Sequence, residues 1–597
     1  MITPMTKYSF ILLNGQQEGF LEKLQEIGLV DITRSVKPAD DRSHQMMGKM
    51  DQLSGLISGL EKIELPEGIR PEPVEGDIVR LADSMLVRYS DDTQALQDLQ
   101  KEIEKLEVWG EFDHEHLQEL SDAGVPIHFH VLPNKQFKQE WQDQYALFVI
   151  QTDKNSTWFV VAGSDSLPGE IHSPKSDVAG KKQELEEKEA QFQDILSRIA
   201  GAKEHIGELR QRRADDYTRL DRYLAAQAAV PAAENTLVTF VGYAPSENEE
   251  AVTAAIEETG VFYLKDAAHA EDNPPISFRN NKFVKMFEVL TDMYGRPAYD
   301  GFDPTPFISV FFLLFFALCM GDAGYGLVLI LVGLLLKKVD SFKDMAPLVV
   351  TLGIGTVVVG FFLHTFFSID IAQWKIFEPI KGIFFPDEIG GYAGGMVLAI
   401  IIGIVHLCLA MVVKAINEVK VKGFSASLGT LGWTLLIVGS IIVGAFALTG
   451  VLDAKLTKWI IIAIGIISAI GIFPLNGHSK NKMANVGLGL WDTYNTATGL
   501  LGDVLSYLRL YALGLAGSML GMAFNDMGKM VLGDGSSWYL WIPFILLVLV
   551  GHTLNIAMCA LGAFVHPLRL NFLEFFKNSG YEANGRNYNP LKKTINK

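Results

Sequence analysis

Eight apolar segments crowd into the second half of the chain, near residues 306–320, 323–337, 345–367, 394–415, 424–449, 458–475, 492–525 and 538–576. Several exceed the ~20 residues that a helix needs to cross ~30 Å of hydrocarbon. Lipid tolerates only structures that satisfy every backbone polar group internally, so such a series commits the second half to a bundle of membrane helices. The first two segments are short and separated only by "GDAGYG", which predicts a tight hairpin containing Asp322. The last two, at about 35 and 39 residues and 1.5 Å per residue, reach roughly 50 and 60 Å, so strong tilt or protrusion from the bilayer is expected.

Charge divides the chain at the same place. Residues 1–300 hold 53 acids and 31 bases, whereas residues 301–597 hold 16 acids and 20 bases, so the halves carry −22 and +4. The start, "MITPMTKYSFILLNGQQEGF", has no basic region followed by a long apolar run, so residues 1–300 are expected in the cytosol. Alternate loops then follow the positive-inside rule, with Lys337, Lys338 and Lys343, then Lys414, Lys420 and Lys422, then Lys480 and Lys482, and finally Lys577, Arg586, Lys592 and Lys593 in the tail. The expectation is eight transmembrane helices with both termini cytoplasmic.

The cytosolic half reads as α/β lobes joined by long helices. "KYSFILLNGQQEGFLEKLQEIGLVDI" and "NTLVTFVGYAPSENEEAVTAAIEETGVFYLKD" each read strand, helix, strand, which places one lobe at about 1–35 and 235–270. A distal lobe at about 112–170 carries the alternating stretches "VPIHFHVL" and "YALFVIQT". Charge-rich helical segments flank it at about 41–110 and 177–230, and Leu185, Phe192, Ile195, Ile199 and Ile206 recur at seam spacing. An antiparallel coiled-coil arm is expected, with a single solvated helix as the plainer reading. "GRPAYDGFDPTPF" closes the cytosolic half.

Arg509 stands near the middle of the seventh apolar segment, in "SYLRLYALGLAG". At that depth arginine costs at least ~2.5 kcal/mol on insertion scales, so it calls for a partner or a cavity. Its helical face carries Gly502, Ser506, Ala512 and Ala516, small residues that let another helix approach. Pairing with Asp503 or Asp322 of the same chain is the structural alternative. On the eighth segment His552, Asn555, Cys559, Gly562, His566 and Arg569 form one stripe, which suits either an aqueous path or a helix-packing seam. His364 and His406 fit satisfied helix contacts as well as functional roles, and Asp322 fits a turn whose acid binds backbone amides.

Other chemistries find no support. Neither "MGK" nor "AGKK" has a glycine five places before its Gly-Lys, so ATP binding is expected on another subunit if it is coupled at all. Cys319, Cys408 and Cys559 lie far apart in apolar stretches without metal or disulfide spacing. No cofactor and no nucleic-acid partner are expected.

The motifs "SYLRLYALGLAG", "LGAFVHPLRLNFLEFF", "YDGFDPTPFISVFFLLFFALCMGDAGYG" and "TFVGYAPSENEEAVTAAIEETG" together resemble the membrane stator subunit of V/A-type rotary ATPases, called subunit a or subunit I, in its compact prokaryotic form. The resemblance covers nearly the whole chain. It implies a non-catalytic, multi-pass subunit of a prokaryotic cell membrane that couples H⁺ or Na⁺ translocation to ATP hydrolysis or synthesis. Its implied partners are a rotating proteolipid ring with an ion-binding carboxylate, peripheral stalk subunits of E/G type on the cytosolic lobes, a central-stalk subunit of d/C type, and lipid. It assigns Arg509 to the ring carboxylate and matches Arg569 to a second family arginine. Ser506, Asp503, Asn495, His552, Asn555 and His566 are half-channel candidates. Some members carry a histidine where Gly517 stands and an acid where Cys559 stands, so those auxiliary roles are absent. Pro567 is unusual at its place and predicts a kink or an end to regular helix. A secondary transporter binding an anion at Arg509, or a non-transporting scaffold, are the competing functions.

Overall fold

A computed structural model describes residues 1–594 except 35–39, 75, 111, 113, 164–166, 172–177, 235, 340–341, 474–481 and 534–537. Lys480 therefore lies outside the described residues, as does the side chain of Lys482. Contacts divide the chain into two units. The first holds residues 1–10, 29–31 and 241–590, and the second residues 11–28, 32–240 and 591–597.

The order at the N-terminus is β1 (Met5–Leu13), α1 (Gln17–Ile27), β2 (Asp31–Ile32), α2 (Asp41–Lys62) and α3 (Ile78–Glu107). There follow α4 (His114–Asp122), β3 (Ile127–Pro133), α5 (Trp141–Gln144), β4 (Leu147–Thr152), β5 (Ser156–Ala162), β6 (Glu170–Ile171), α6 (Val178–Glu204) and α7 (Ile206–Gln227). Strands β7 (Val230–Ala232), β8 (Leu237–Pro245) and β9 (Phe262–Ala267), with α8 (Glu249–Glu257) between the last two, complete this half. One sheet takes the order β2-β8-β1-β9 with β7 on β8, and a second, antiparallel, takes β4-β5-β3-β6.

In the second unit the alternation of "IHFHVLP" against "STWFVVA" puts Leu132, Phe159 and Val161 into a small core with Leu147 and Leu167. The long helices pack in pairs. Lys182 meets Glu107 at 2.6 Å and Phe192 stacks on Tyr89 at 5.4 Å, so α6 runs antiparallel to α3. Arg210 meets Glu61 at 2.6 Å and Tyr223 bonds Asp40, so α7 runs antiparallel to α2. Ile195, Leu196, Ile199 and Leu209 bury themselves against Leu53, Ile57, Leu60 and Met85. The exposed ion pairs along this region add at most ~1 kcal/mol each, so the apolar seam holds it. Glycine at 28 ends α1 in the left-handed region, at φ 66°.

In the first unit, β10 (Pro275–Ile276), α9 (Lys282–Lys285) and α10 (Glu288–Tyr294) lead into the apolar helices. Five are long and apolar enough to span a membrane. They are α14 (Gly394–Lys422), the segment Leu428–Leu448, α17 (Ala454–Ile472), α18 (Lys482–Leu532) and α19 (Trp541–Arg569), the apolar stretches of the last two being Gly489–Leu532 and Trp538–Ser579. The segment Leu428–Leu448 joins α15 (Leu428–Thr434) to α16 (Ser440–Leu448) through a π turn. Three more apolar helices are shorter, namely α11 (Thr305–Met320), α12 (Ala323–Leu336) and α13 (Ala346–Phe362), of 16, 14 and 17 residues. Short glycine-rich sequences explain their close packing. A Cβ on Gly353 would sit 2.9 Å from the Ile330 backbone nitrogen, and one on Gly326 would sit 2.6 Å from that of Val357.

The third apolar run, 345–367, is not helical to its end. Helix α13 stops at Phe362, and β11 (Thr365–Phe366) pairs with β12 (Ile369–Asp370) around Phe367 and Ser368, which have φ of 46° and 58°. Asp322, 2% exposed, explains the turn. Its carboxylate accepts the N–H groups of Gly324 and Tyr325 at the start of α12 and those of Phe367 and Ser368 across it. A second ribbon, β13 (Glu388–Ile389) on β14 (Tyr392–Ala393), precedes α14. The core of this unit gathers Phe312, Phe315, Tyr507, Leu510, Phe575 and Phe576. At the chain's end β15 (Arg586–Asn587) lies parallel to β10, and Tyr588 donates to the Leu29 carbonyl at 2.5 Å.

Candidate functional site

Helix α18 is continuous through Arg509, which carries a half-buried side chain. Its Nη2 donates to Ser506 Oγ at 3.3 Å, one turn back, and Ser506 Oγ donates to Glu574 Oε1 at 2.6 Å. Arg509 Nη1 is buried and has no hydrogen-bond partner among the described residues, and the same holds for Glu574 Oε2. The two acids that were candidates to pair with Arg509 are engaged elsewhere. Asp322 holds its four amides, and Asp503 accepts from Asn578 at 2.8 Å and Lys577 at 3.4 Å. Among the described residues no carboxylate lies within ion-pair distance of Arg509.

The face around the arginine is open. Gly502, Ala512 and Ala516 are exposed, and a side chain added at Gly502 would meet nothing within 4 Å. On the opposite side of the same helix Tyr507 is fully buried, its hydroxyl 2.9 Å from His406 Nδ1, and His406 stacks on Phe575. His406 is thus a packed core histidine. A helix buried on one face and open on the other presents Arg509 at the rim between them.

The stripe on α19 divides in two. His552 lies 2.7 Å from the Tyr325 hydroxyl and 2.9 Å from Asn525 Oδ1, while Asn555 donates to Tyr325 Oη and to the Gly517 carbonyl, both at 2.8 Å. Cys559 lies against Gly517, where a Cβ would come 2.5 Å from its Sγ. This upper part is a packing seam among α12, α18 and α19. The lower part is looser. A Cβ on Gly562 would meet one atom at 3.9 Å, His566 Nδ1 is buried without a partner among the described residues, and Arg569 is exposed. Both Arg509 and Arg569 are close enough to act electrostatically on His566.

Pro567 lies inside the helix, close to the end of its regular part. Helix α19 runs through it to Arg569 and then widens into a π turn at Leu570–Phe575 before α20 (Phe576–Ser579), with Asn571 Nδ2 donating to the Pro567 carbonyl at 2.8 Å. The wide turn shifts the register of the helix beyond it, and Glu574 ends up 5% exposed beside Ser506 while Leu573 faces out. Reading a regular 3.6-residue period could not find Glu574. An acid within an otherwise apolar run was the available signal.

Two cavities touch α18 on either side of Arg509. One, of about 310 Å³, is polar, lined by Asn495, Asp503, Lys414, Lys577 and Asn578 among others. The other, of about 240 Å³, reaches Tyr511, Gly514 and Ser518 from His364 and Asp387. His364 bridges Asp370 and Asp387 at 3.0 Å each.

These features describe a helical bundle, five of its helices long and apolar enough to span a membrane, with a guanidinium at the rim of an open helix face between one polar recess and one largely apolar recess. Comparison with known proteins sharpens the class. Residues 147–346 match the V-type ATPase 116kDa subunit family. The chain is 32% identical over 384 residues to the A-type ATP synthase subunit I of Methanocaldococcus jannaschii, covering 59% of this chain and 54%, about half, of that protein. It is 24% identical to the V-type ATP synthase subunit I of Borreliella burgdorferi and 26% identical to V-type ATP synthase subunit I 1 of Treponema pallidum, each alignment spanning 99% of this chain and 100% of the relative. The matches support its assignment as a V/A-type ATPase subunit I, the subunit also called a.

Proposed function

We propose that this chain is the stator subunit of a V/A-type rotary ATPase, in which eight membrane helices face a rotating proteolipid ring and guide ions to and from a carboxylate on that ring. Both termini lie in the cytosol. The antiparallel helices of the N-terminal half form a coiled-coil arm whose α/β lobes hold the peripheral stalks, with the central stalk near by. ATP chemistry belongs to other subunits.

The observation that carries this reading is Arg509, left without a carboxylate among the described residues of its own chain, on a face of small, exposed residues. A guanidinium stays protonated at physiological pH. An opposite charge within ~4–6 Å lowers a carboxylate's pKa by about 1–3. A ring carboxylate arriving at Arg509 therefore gives up its ion there, and the fixed positive charge bars ions from passing directly between the recesses. The recess at Asn495 and Asp503 serves as the cytosolic half-channel, and that at His364, Tyr511 and Ser518 as the opposite one. Arg569 and His566 line the approach to Arg509. For His552 and Asn555, half-channel candidates by resemblance, the hydrogen bonds to Tyr325, Asn525 and Gly517 favour the packing-seam alternative.

The decisive variant is Arg509→Ala in the assembled complex, reconstituted in vesicles. ATP-driven ion transport is expected to fall to background while the complex still assembles. Normal coupled pumping would overturn the assignment and favour a carrier or a scaffold.

A further inference from the structure

Glu574 is the strongest unassigned feature of the site: a buried carboxylate in a membrane helix, one oxygen bound to Ser506 and the other without a partner among the described residues. A single intramembrane acid of this kind costs enough that a packing role alone does not explain it. Its geometry is informative. It does not pair directly with Arg509. Ser506 stands between them, donating its one proton to Glu574 and accepting the Arg509 Nη2–H on its lone pair.

The relay through Ser506 has two effects. Fixing the Ser506 hydroxyl fixes one amino group of Arg509 and leaves the other, buried Nη1, unpaired among the described residues. The negative charge, one hydroxyl removed, also weakens the field of the guanidinium without occupying it. A direct Glu–Arg pair would compete with any passing carboxylate, whereas an isolated arginine would hold it too long for the ion to rebind. We infer that Glu574 is a positioning residue for Arg509, acting through Ser506 to orient its side chain and to moderate its grip on the carboxylate that it meets. This rests on the stator reading above. Tyr507 acts electrostatically with Glu574 and Arg509 reaches it through Ser506, and both remain in the Glu574 variants below.

The test is ATP-driven transport by the whole complex in vesicles, read as both maximal rate and the ion concentration giving half that rate. Glu574→Gln keeps an acceptor for Ser506 and removes the charge. It is expected to raise the half-maximal ion concentration by about tenfold, the scale of one charge acting over roughly 12 Å at an effective dielectric constant near 20. Glu574→Asp, which keeps the charge, is expected to return most of that change. Ser506→Ala, which cuts the link and keeps Glu574, is expected to lower the maximal rate. An assembled Glu574→Gln complex with unshifted ion dependence, or an Asp variant as shifted as the Gln variant, overturns the inference. If Glu574→Gln fails to assemble, an unchanged rate in Ser506→Ala overturns it instead. Loss of pumping in Arg509→Ala beside an unshifted Glu574→Gln removes this inference alone, whereas normal pumping in Arg509→Ala removes the stator reading with it.

Discussion

Ser368, deep in the turn after α13, donates its backbone N–H to the Asp322 carboxylate at 2.6 Å, 46 residues away in sequence. The same carboxylate takes the first amides of α12, so one acid ties a helix start to a turn whose Phe367 and Ser368 have positive φ. Charge-assisted bonds of this kind contribute ~1.5–3 kcal/mol each, and a buried amide left unpaired costs a similar amount. Asp322→Ala is expected to destabilise the purified protein by about 3 kcal/mol or more. Asp322→Asn, which keeps one acceptor oxygen, should lose roughly half as much. Thermal unfolding in detergent measures both. An Asp322→Ala midpoint equal to that of the unsubstituted chain would show that the hub is dispensable.

The seam between α18 and α19 makes a sharper energetic test. Because a Cβ at position 517 would come within 2.5 Å of Cys559 Sγ, Gly517→Ala must push the two helices apart or drive Cys559 out of its rotamer. Overpacking of this sort costs about 1–3 kcal/mol. Cys559→Ala vacates the space, so the double variant should recover about 1 kcal/mol or more relative to the sum of the single changes. Additive losses across the four members of this cycle would mean that the two positions do not touch.

The range of each interaction decides how far the chain alone could reveal it. Hydropathy is local, so the apolar runs were legible, as was the anomaly of Arg509 within one of them. The buried face of α6 was also legible, since Phe192, Ile195 and Ile199 mark it by spacing alone. What no pattern could supply was partners. The stripe of His552 and Asn555 fitted an aqueous path as well as a packing seam, and the partner that satisfies both residues, Tyr325, lies more than 220 residues away. Asp322 was legible as the acid of a turn, but its hold on Phe367 and Ser368 was not. Glu574 stood out as an acid in an apolar run, but its place beside Ser506 was not legible because the π turn after Arg569 breaks the period on which the stripe from His552 was read. The third apolar run lost its last residues to a ribbon for a similar reason: hydropathy measures what lipid tolerates, and the turn at Phe367 is set by a distant carboxylate.

The recess beside Asn495 can be tested without measuring transport. A thiolate reacts with a charged, membrane-impermeant thiosulfonate only where water reaches it, so labelling reports hydration at a chosen position. Asn495 is exposed and lines the polar cavity with Asp503 and Lys577, whereas Asn555 is fully buried and hydrogen-bonded to Tyr325 and Gly517. In a chain with Cys319, Cys408 and Cys559 replaced, Asn495→Cys is expected to label at least about tenfold faster than Asn555→Cys when the reagent is added on the side of the basic loops. Protection of Asn495→Cys when the complex carries its ring would place the cavity against the rotating partner. Equal labelling rates at the two positions would show that the Asn495 recess is closed to water, and the cytosolic half-channel would then have to be sought elsewhere on α18.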